Sequence, residues 1–260
     1  MLVSEVMLQQ TQVDRVIHYY TTFVSTFPQP AECARAGAGD VVRLWSGLGY
    51  NRRALNLHRA ATIIADTHGG AVPADERSLR SLPGVGVYTA RAVLSFAFEA
   101  DVATVDTNVV RVLSRGMAGT GLTVAAAQSL ADRLLPAGRS WEFNQSMFDL
   151  GATVCTAARP ACGRCPLRHM CRWTRGGRSA PDPWRASPSV RPQAPFAGSD
   201  RQGRGSLIAA LRLGDVAPAM VATACGWPDD EARAQRITAA LVAEGFAEWT
   251  DGPPARLRLR

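Results

Sequence analysis

The stretch Leu82-Pro83-Gly84-Val85-Gly86-Val87-Tyr88-Thr89-Ala90-Arg91-Ala92-Val93-Leu94 decides the architecture of this chain. Two glycines around Val85 let the backbone turn sharply, and no side chain blocks a close approach. A helical run follows at once. The N–H groups of such a turn, ahead of a helix N-terminus, are free to bind phosphate. The pattern Leu-Pro-Gly-Val-Gly therefore predicts a helix-hairpin-helix that grips a nucleic-acid backbone through Gly84 and Gly86. A plain turn between two helices is the alternative.

Outward from this hairpin the chain reads as helix after helix. Leu2 to Tyr20 carries Val6, Val13, Val16, Ile17 and Tyr20 at helical spacing. Asp40 is expected to cap Val41 to Trp45, which Gly47 and Gly49 end. Arg52 to Thr67 is amphipathic and runs into Gly69-Gly70, a stop signal. Further helices are expected over Val87 to Phe98, Asn108 to Met117, Thr123 to Leu135 and Glu142 to Cys155. Alternating strand patterns are nearly absent, so the body is all-α.

Past that body, Cys155, Cys162, Cys165 and Cys171 fall in the spacing C-x6-C-x2-C-x5-C. This irregular quartet does not match the paired knuckles of a zinc ribbon. It suits a loop wrapped around a four-iron cluster held by thiolates, a [4Fe-4S] centre. A structural zinc and two disulfides are the alternatives. Cys33 and Cys225 stand alone and read as small core residues.

The chain has 260 residues, 47% of them hydrophobic, enough for more than one domain. It holds no apolar run long enough to cross a membrane and no secretory leader, which predicts a cytoplasmic protein with reduced thiols. The net charge is +7, which suits a polyanion partner. All 29 basic residues are arginine. No lysine side chain is therefore present to form a Schiff base.

Residues 174–204 are rich in Pro, Gly, Ser and Arg and read as a linker, either a solvated tether or a segment whose arginines brush phosphates. Residues 205–260 form a small module. Helices are expected over Ser206 to Leu213, Pro218 to Cys225 and Asp230 to Glu244, then a hairpin of Phe246 to Thr250 with Ala255 to Arg260. This pattern is winged-helix-like. With Arg256, Arg258 and Arg260 on its last strand, it is either a DNA contact or a packing appendage.

Two carboxylates draw attention. Glu5 stands among Val, Met and Leu, and burial there would raise its pKa and make it a general acid; an exposed stripe is the other reading. Asp106, ahead of Thr107-Asn108-Val109, reads as a helix N-cap. That position also fixes a carboxylate pointing out of the helix.

These motifs together resemble the helix-hairpin-helix DNA glycosylases that carry an iron–sulfur cluster, the superfamily of endonuclease III, and within it the adenine DNA glycosylases. The matching stretches are Ser4 to Val13, Leu44 to Asn56, Leu82 to Thr89, Val105 to Val112, Phe143 to Cys155 and the four cysteines, so the resemblance spans residues 1 to 173. It implies a helical barrel over 1–118 and a cluster domain over 119–173. It also implies a monomeric, monofunctional enzyme of base excision repair, whose partner is double-stranded DNA containing adenine mispaired with 8-oxoguanine or guanine. Glu5 matches the acid that protonates adenine. Asp106 matches the carboxylate that stabilises the sugar cation, and Asn108 a residue that orders it. Tyr88 stands where endonuclease III carries its lysine nucleophile. Gln145 matches a contact to the flipped adenine, and Leu8 lines its pocket. Gln10, Thr11, Leu48 and Tyr50 match residues facing the opposite base, with Tyr50 as the wedge. Bland readings stand beside three of these: Tyr50 and Leu8 as core side chains, Gln145 as a solvated helix residue.

The match departs from the family in three ways. The leader expected ahead of the Ser4 to Val13 segment is not in this sequence, Thr107 stands where Gly is frequent, and the larger C-terminal domain that reads 8-oxoguanine is not recognisable. A thymine or uracil mismatch glycosylase, and a non-catalytic DNA-binding relative, are the competing functions.

Overall fold

The computed structural model describes residues 1–178, 181–189 and 194–260. In chain order its helices are α1 (Leu2–Leu8), α2 (Val13–Thr26), α3 (Pro30–Arg35), α4 (Ala38–Leu44), α5 (Arg52–Thr67), α6 (Glu76–Ser81), α7 (Val87–Phe98) and α8 (Thr107–Leu113). They continue with α9 (Val124–Leu134), α10 (Ser140–Asp149), α11 (Arg172–Arg175), α12 (Asp200–Leu213), α13 (Val221–Ala224) and α14 (Glu231–Ala243). Strands β1 (Ala247–Trp249) and β2 (Leu257–Leu259) pair antiparallel, Glu248 opposite Arg258. No helix among the described residues is long and apolar enough to cross a membrane.

The chain forms two compact units that interleave in sequence. One comprises Met1, Ala74–Arg80 and Val85–Gln193; the other comprises Leu2–Pro73, Ser81–Gly84 and Ala194–Arg260. Neither unit ends at residue 118 or 204.

The first unit is built on α8, whose Val109, Val110, Val112 and Leu113 are buried with Ala127 and Ala131 of α9 and Met147 of α10. Complete burial of such side chains contributes about 1.5–3 kcal/mol each. The helices expected to reach Met117 and Cys155 instead change character. α8 passes into a π turn over Ser114–Ala118, and α10 into one over Leu150–Val154. Each widened turn inserts backbone and re-aims the downstream chain, a feature common at functional sites.

The segment expected to be a linker is corrected in two places. Residues 181–189 dock on this unit: Asp182 pairs with buried Arg115, Trp184 packs on the core, and the Ser187 hydroxyl donates to the Leu122 carbonyl at 2.6 Å. Positions 179–180 and 190–193 of that reading lie outside the described residues. At its far end, α12 starts at Asp200 rather than Ser206, with Ser199 as its N-cap. Gly198 and Gly203 give this stretch its linker-like composition. Gly203 is there because the Trp227 ring occupies the space a Cβ would need.

The second unit gathers α1 to α5 with the C-terminal module. The helix expected over Leu2 to Tyr20 is broken. Gln10 adopts a left-handed φ of 57°, and α2 begins afresh at Val13. The break resets the helical phase, so Val13 and Ile17 are 62% and 58% exposed instead of joining one apolar face. Asp40 is likewise not a cap. It lies within α4, whose N-cap is Gly37, and pairs with Arg43.

The module is joined to α4 and α5 by arginines. Arg212 donates to the Val42 carbonyl at 3.1 Å and to Asn51 Oδ1 at 2.8 Å. Glu244 receives Arg204 at 2.6 Å and Arg52 at 2.7 Å, and Arg59 donates to its carbonyl. The Gly39 N–H donates to the Arg260 carbonyl. Arg258 and Arg260 are engaged with Glu248. These contacts pack the module onto α4 and α5 within the same unit.

Candidate active site and cysteine loop

In the first unit residues 102–105 lead into Asp106, and three side chains hold them. Buried Asn144 accepts from the Thr104 N–H at 2.8 Å and donates to the Val102 carbonyl and to Ser95, both at 2.9 Å. Gln128 and Arg91 both donate to the Ala103 carbonyl, at 2.9 and 3.2 Å.

Asp106 then caps α8 as expected, its Oδ1 accepting from the Val109 N–H at 2.7 Å. Its Oδ2 accepts from the Asn108 amide at 2.7 Å. Asn108 Oδ1 in turn accepts from Arg111 at 2.8 Å. That bond fixes which end of the amide faces Asp106, since only the NH2 end donates. Arg111 is buried and also donates to the carbonyls of Gly151, at 2.8 Å, and Cys155, at 2.7 Å. Burial pulls its guanidinium below the ordinary value, against the neighbouring Cys155 and Asp106. Tyr88 is half-buried, its ring 6.2 Å from that of Phe148. Gln145, also half-buried, donates to Asp149 at 3.1 Å.

The four cysteines follow the second π turn. All are free thiols and line one pocket with Arg115, Val154, Pro160, Trp173 and Thr174. No disulfide joins them. Among the described residues no three His, Cys, Asp or Glu side chains are gathered closely enough to hold a single metal ion. Arg115, among the residues lining this pocket, is 1% exposed. It donates to Asp182 through two nitrogens and to the Thr156 and Ala157 carbonyls, and lies 3.5 Å from the Cys155 sulfur. Burial is the largest influence on this guanidinium, yet Asp182 and Cys155 together hold its pKa above the ordinary value. A buried cation beside four thiols suits an anionic thiolate-held group. Arg159, Arg164, Arg168 and Arg172 are exposed around the loop.

In the second unit α1 carries Glu5, which is buried at 8% exposure, as its apolar surroundings predicted. Leu8 and Thr11 are half-buried and Gln10 is exposed. Leu48 is buried, whereas Tyr50 is 48% exposed and left-handed, with φ 47°. Tyr50 is thus no core aromatic. Gly84 has φ 80°, and a Cβ there would lie 2.9 Å from that of Asn56, so glycine is required twice over. The buried side chains of Asn144, Arg111 and Arg53 were missed from the sequence. Arg111 alone stands in an apolar run, Val109 to Leu113, whereas Arg53 follows Asn51-Arg52 and Asn144 lies between Glu142 and Gln145, so no local signal marked those two.

The fold and these side chains first define a class. The family model of HhH-GPD superfamily base excision DNA repair proteins matches residues 3–134. Solved structures agree. A thermostable thymine-DNA glycosylase is similar with TM-score 0.64 and 29% identity, over 67% of this chain and 83% of that one. An endonuclease III–DNA covalent intermediate is similar with TM-score 0.62 and 26% identity, over 68% and 84%. The adenine DNA glycosylase of Mycolicibacterium smegmatis is 42% identical over 252 residues, 96% of this chain and 84% of that protein. The chain belongs to the HhH-GPD superfamily and, within it, to the adenine DNA glycosylases. A match of that extent takes in most of the C-terminal module.

Proposed function

We propose that this protein hydrolyses the N-glycosidic bond of adenine mispaired with 8-oxoguanine or guanine in duplex DNA. The observation that carries the reading is Asp106. One of its oxygens is fixed by the α8 N-terminus and the other by an amide that Arg111 locks in orientation. A carboxylate so held cannot turn away, and it stands ready for positive charge developing on a sugar.

In this reading Glu5 donates a proton to N7 of adenine, and the bond from C1′ to N9 breaks with its electrons going to the base. Asp106 stabilises the sugar cation, and water then adds at C1′ and loses a proton. Glu5 is buried on α1. Gln145 and Leu8 contact the flipped adenine. Gln10, Thr11, Leu48 and Tyr50 face the opposite base, and Gly84 and Gly86 bind phosphate. Tyr88 stands in place of a lysine nucleophile. With no lysine in the chain, the enzyme releases the base without cutting the strand through a lysine imine.

The four thiols fit a [4Fe-4S] cluster. They surround a pocket rather than converge on one ion, and Arg115 supplies charge against it. Such a cluster would be structural, holding the loop and its exposed arginines against DNA. Glu5→Gln and Asp106→Asn test the chemistry: each is expected to abolish base release while duplex affinity stays within a few-fold. Full activity in either variant would overturn the assignment.

A further inference from the structure

Arg53 is the second residue of α5, in the second unit. Arg53 is 8% exposed, and its guanidinium makes six hydrogen bonds, four to residues 6–11 far back in the chain and two to the carbonyls of Leu48 and Gly49 just ahead of α5. Nη1 donates to the carbonyls of Val6 at 3.1 Å, Met7 at 2.7 Å and Gln9 at 2.6 Å. Nη2 donates to Thr11 Oγ1 at 3.1 Å and to the carbonyls of Leu48 at 3.3 Å and Gly49 at 3.1 Å. The Trp45 and Tyr50 rings lie 5.3 and 5.6 Å from it. Burial lowers its pKa to about 10, which leaves it charged at neutral pH.

These partners give Arg53 two roles. The Val6 and Met7 carbonyls belong to the last turn of α1, where carbonyls lack helical partners and a cation is favourable. Arg53 is therefore the C-terminal cap of the helix that carries Glu5. The Gln9 and Gly49 carbonyls each precede a left-handed non-glycine residue, Gln10 and Tyr50. Such conformations persist only where surrounding structure imposes them, and here one planar fork imposes both.

We infer that Arg53 is the positioning residue that sets Gln10 and Tyr50, and with them the opposite-base reading surface, in fixed register with the Glu5 helix. The inference rests on the proposed function for what Gln10 and Tyr50 read. Lysine at this position would keep the charge but lose the fork.

The test compares wild type with Arg53→Lys in two ways. Single-turnover adenine release is measured from duplexes with adenine opposite 8-oxoguanine and opposite guanine. The ratio of the two rates is expected to fall at least tenfold in Arg53→Lys. An unchanged ratio, even with both rates lowered, would mean a merely structural arginine and overturn the inference. Hydrogen exchange without DNA should show residues 9–12 and 48–51 both accelerating at least tenfold; acceleration of one segment alone would also overturn it. If Arg53→Lys does not fold, native-state exchange of the wild type across a denaturant series decides. The inference requires the two segments to open as one unit, and separate opening contradicts it. Exchange needs no substrate, so it stands or falls independently of whether wild type releases adenine.

Discussion

The Arg111 guanidinium donates to the Cys155 carbonyl at 2.7 Å while its other arm orients Asn108. The residue that fixes the cap carboxylate thus also ties down the first cysteine. Removing this buried fork leaves Asn108 Oδ1 and the Gly151 carbonyl without this donor and the Cys155 carbonyl with only a long bond from Arg115 at 3.4 Å. Hydrogen bonds to charged groups contribute about 1.5–3 kcal/mol each. Arg111→Met should lower stability by about 3 kcal/mol, read by chemical denaturation. It should also reduce base release by roughly two orders of magnitude, since Asn108 loses its orientation. Activity that survives a full stability loss would separate the two roles.

Asp106 has a structural and a chemical part that one pair of variants separates. Asparagine caps a helix about as well as aspartate, whereas alanine loses about 1 kcal/mol. Asp106→Asn keeps the cap but sets its NH2 against the Asn108 NH2 that Arg111 locks in place, so it is expected to melt between wild type and Asp106→Ala, with both variants inactive in base release. An Asp106→Asn protein as destabilised as the alanine variant would show that charge, not capping, holds α8.

Gly151 leaves no room for a side chain. A Cβ there would come 2.7 Å from that of Asn108, itself bonded to Asp106. Gly151→Ala should cost about 1–3 kcal/mol through overpacking, and it should slow base release more than it weakens duplex affinity. An alanine variant with wild-type turnover would mean that Asn108 shifts without disturbing Asp106.

Glu244 gives the second unit a pH dependence. Burial alone would raise its pKa, but the bonds from Arg52 and Arg204 outweigh that and set it below the ordinary 4.5. Its folded pKa is thus depressed. The stabilisation is present above the unfolded value and is lost as the pH falls through the folded one. Because Arg52 is largely exposed, the contribution is about 1 kcal/mol. In urea titrations at pH 3 and pH 7, Glu244→Gln should narrow the stability difference seen in wild type. An unchanged difference would place the acid sensitivity elsewhere.

Much of this was legible in sequence because local signals and tertiary structure agree. Arg52–Thr67 and Val87–Phe98 are bounded as the periodicity, the glycines and the Pro-Gly turn predicted. Asp106 was readable as a cap because capping is a local matter. What was not legible depends on partners far along the chain. The break at Gln10 is set by Arg53, more than 40 residues away, so an unbroken apolar period misled. Residues 181–189 look like a tether until Asp182 finds Arg115 across 67 positions. Arg111 and Arg53 resembled ordinary helix arginines, since nothing local reveals that a guanidinium is buried.

Under the proposed function, Glu5 and Asp106 together release adenine. One single-turnover experiment tests it most directly, using duplexes with adenine opposite 8-oxoguanine, adenine opposite guanine, thymine opposite guanine and uracil opposite guanine. Adenine release is expected to be fastest opposite 8-oxoguanine, with intact strands until alkali is added and no release by Glu5→Gln or Asp106→Asn. Release of thymine or uracil instead, or of no base from any duplex, would contradict it.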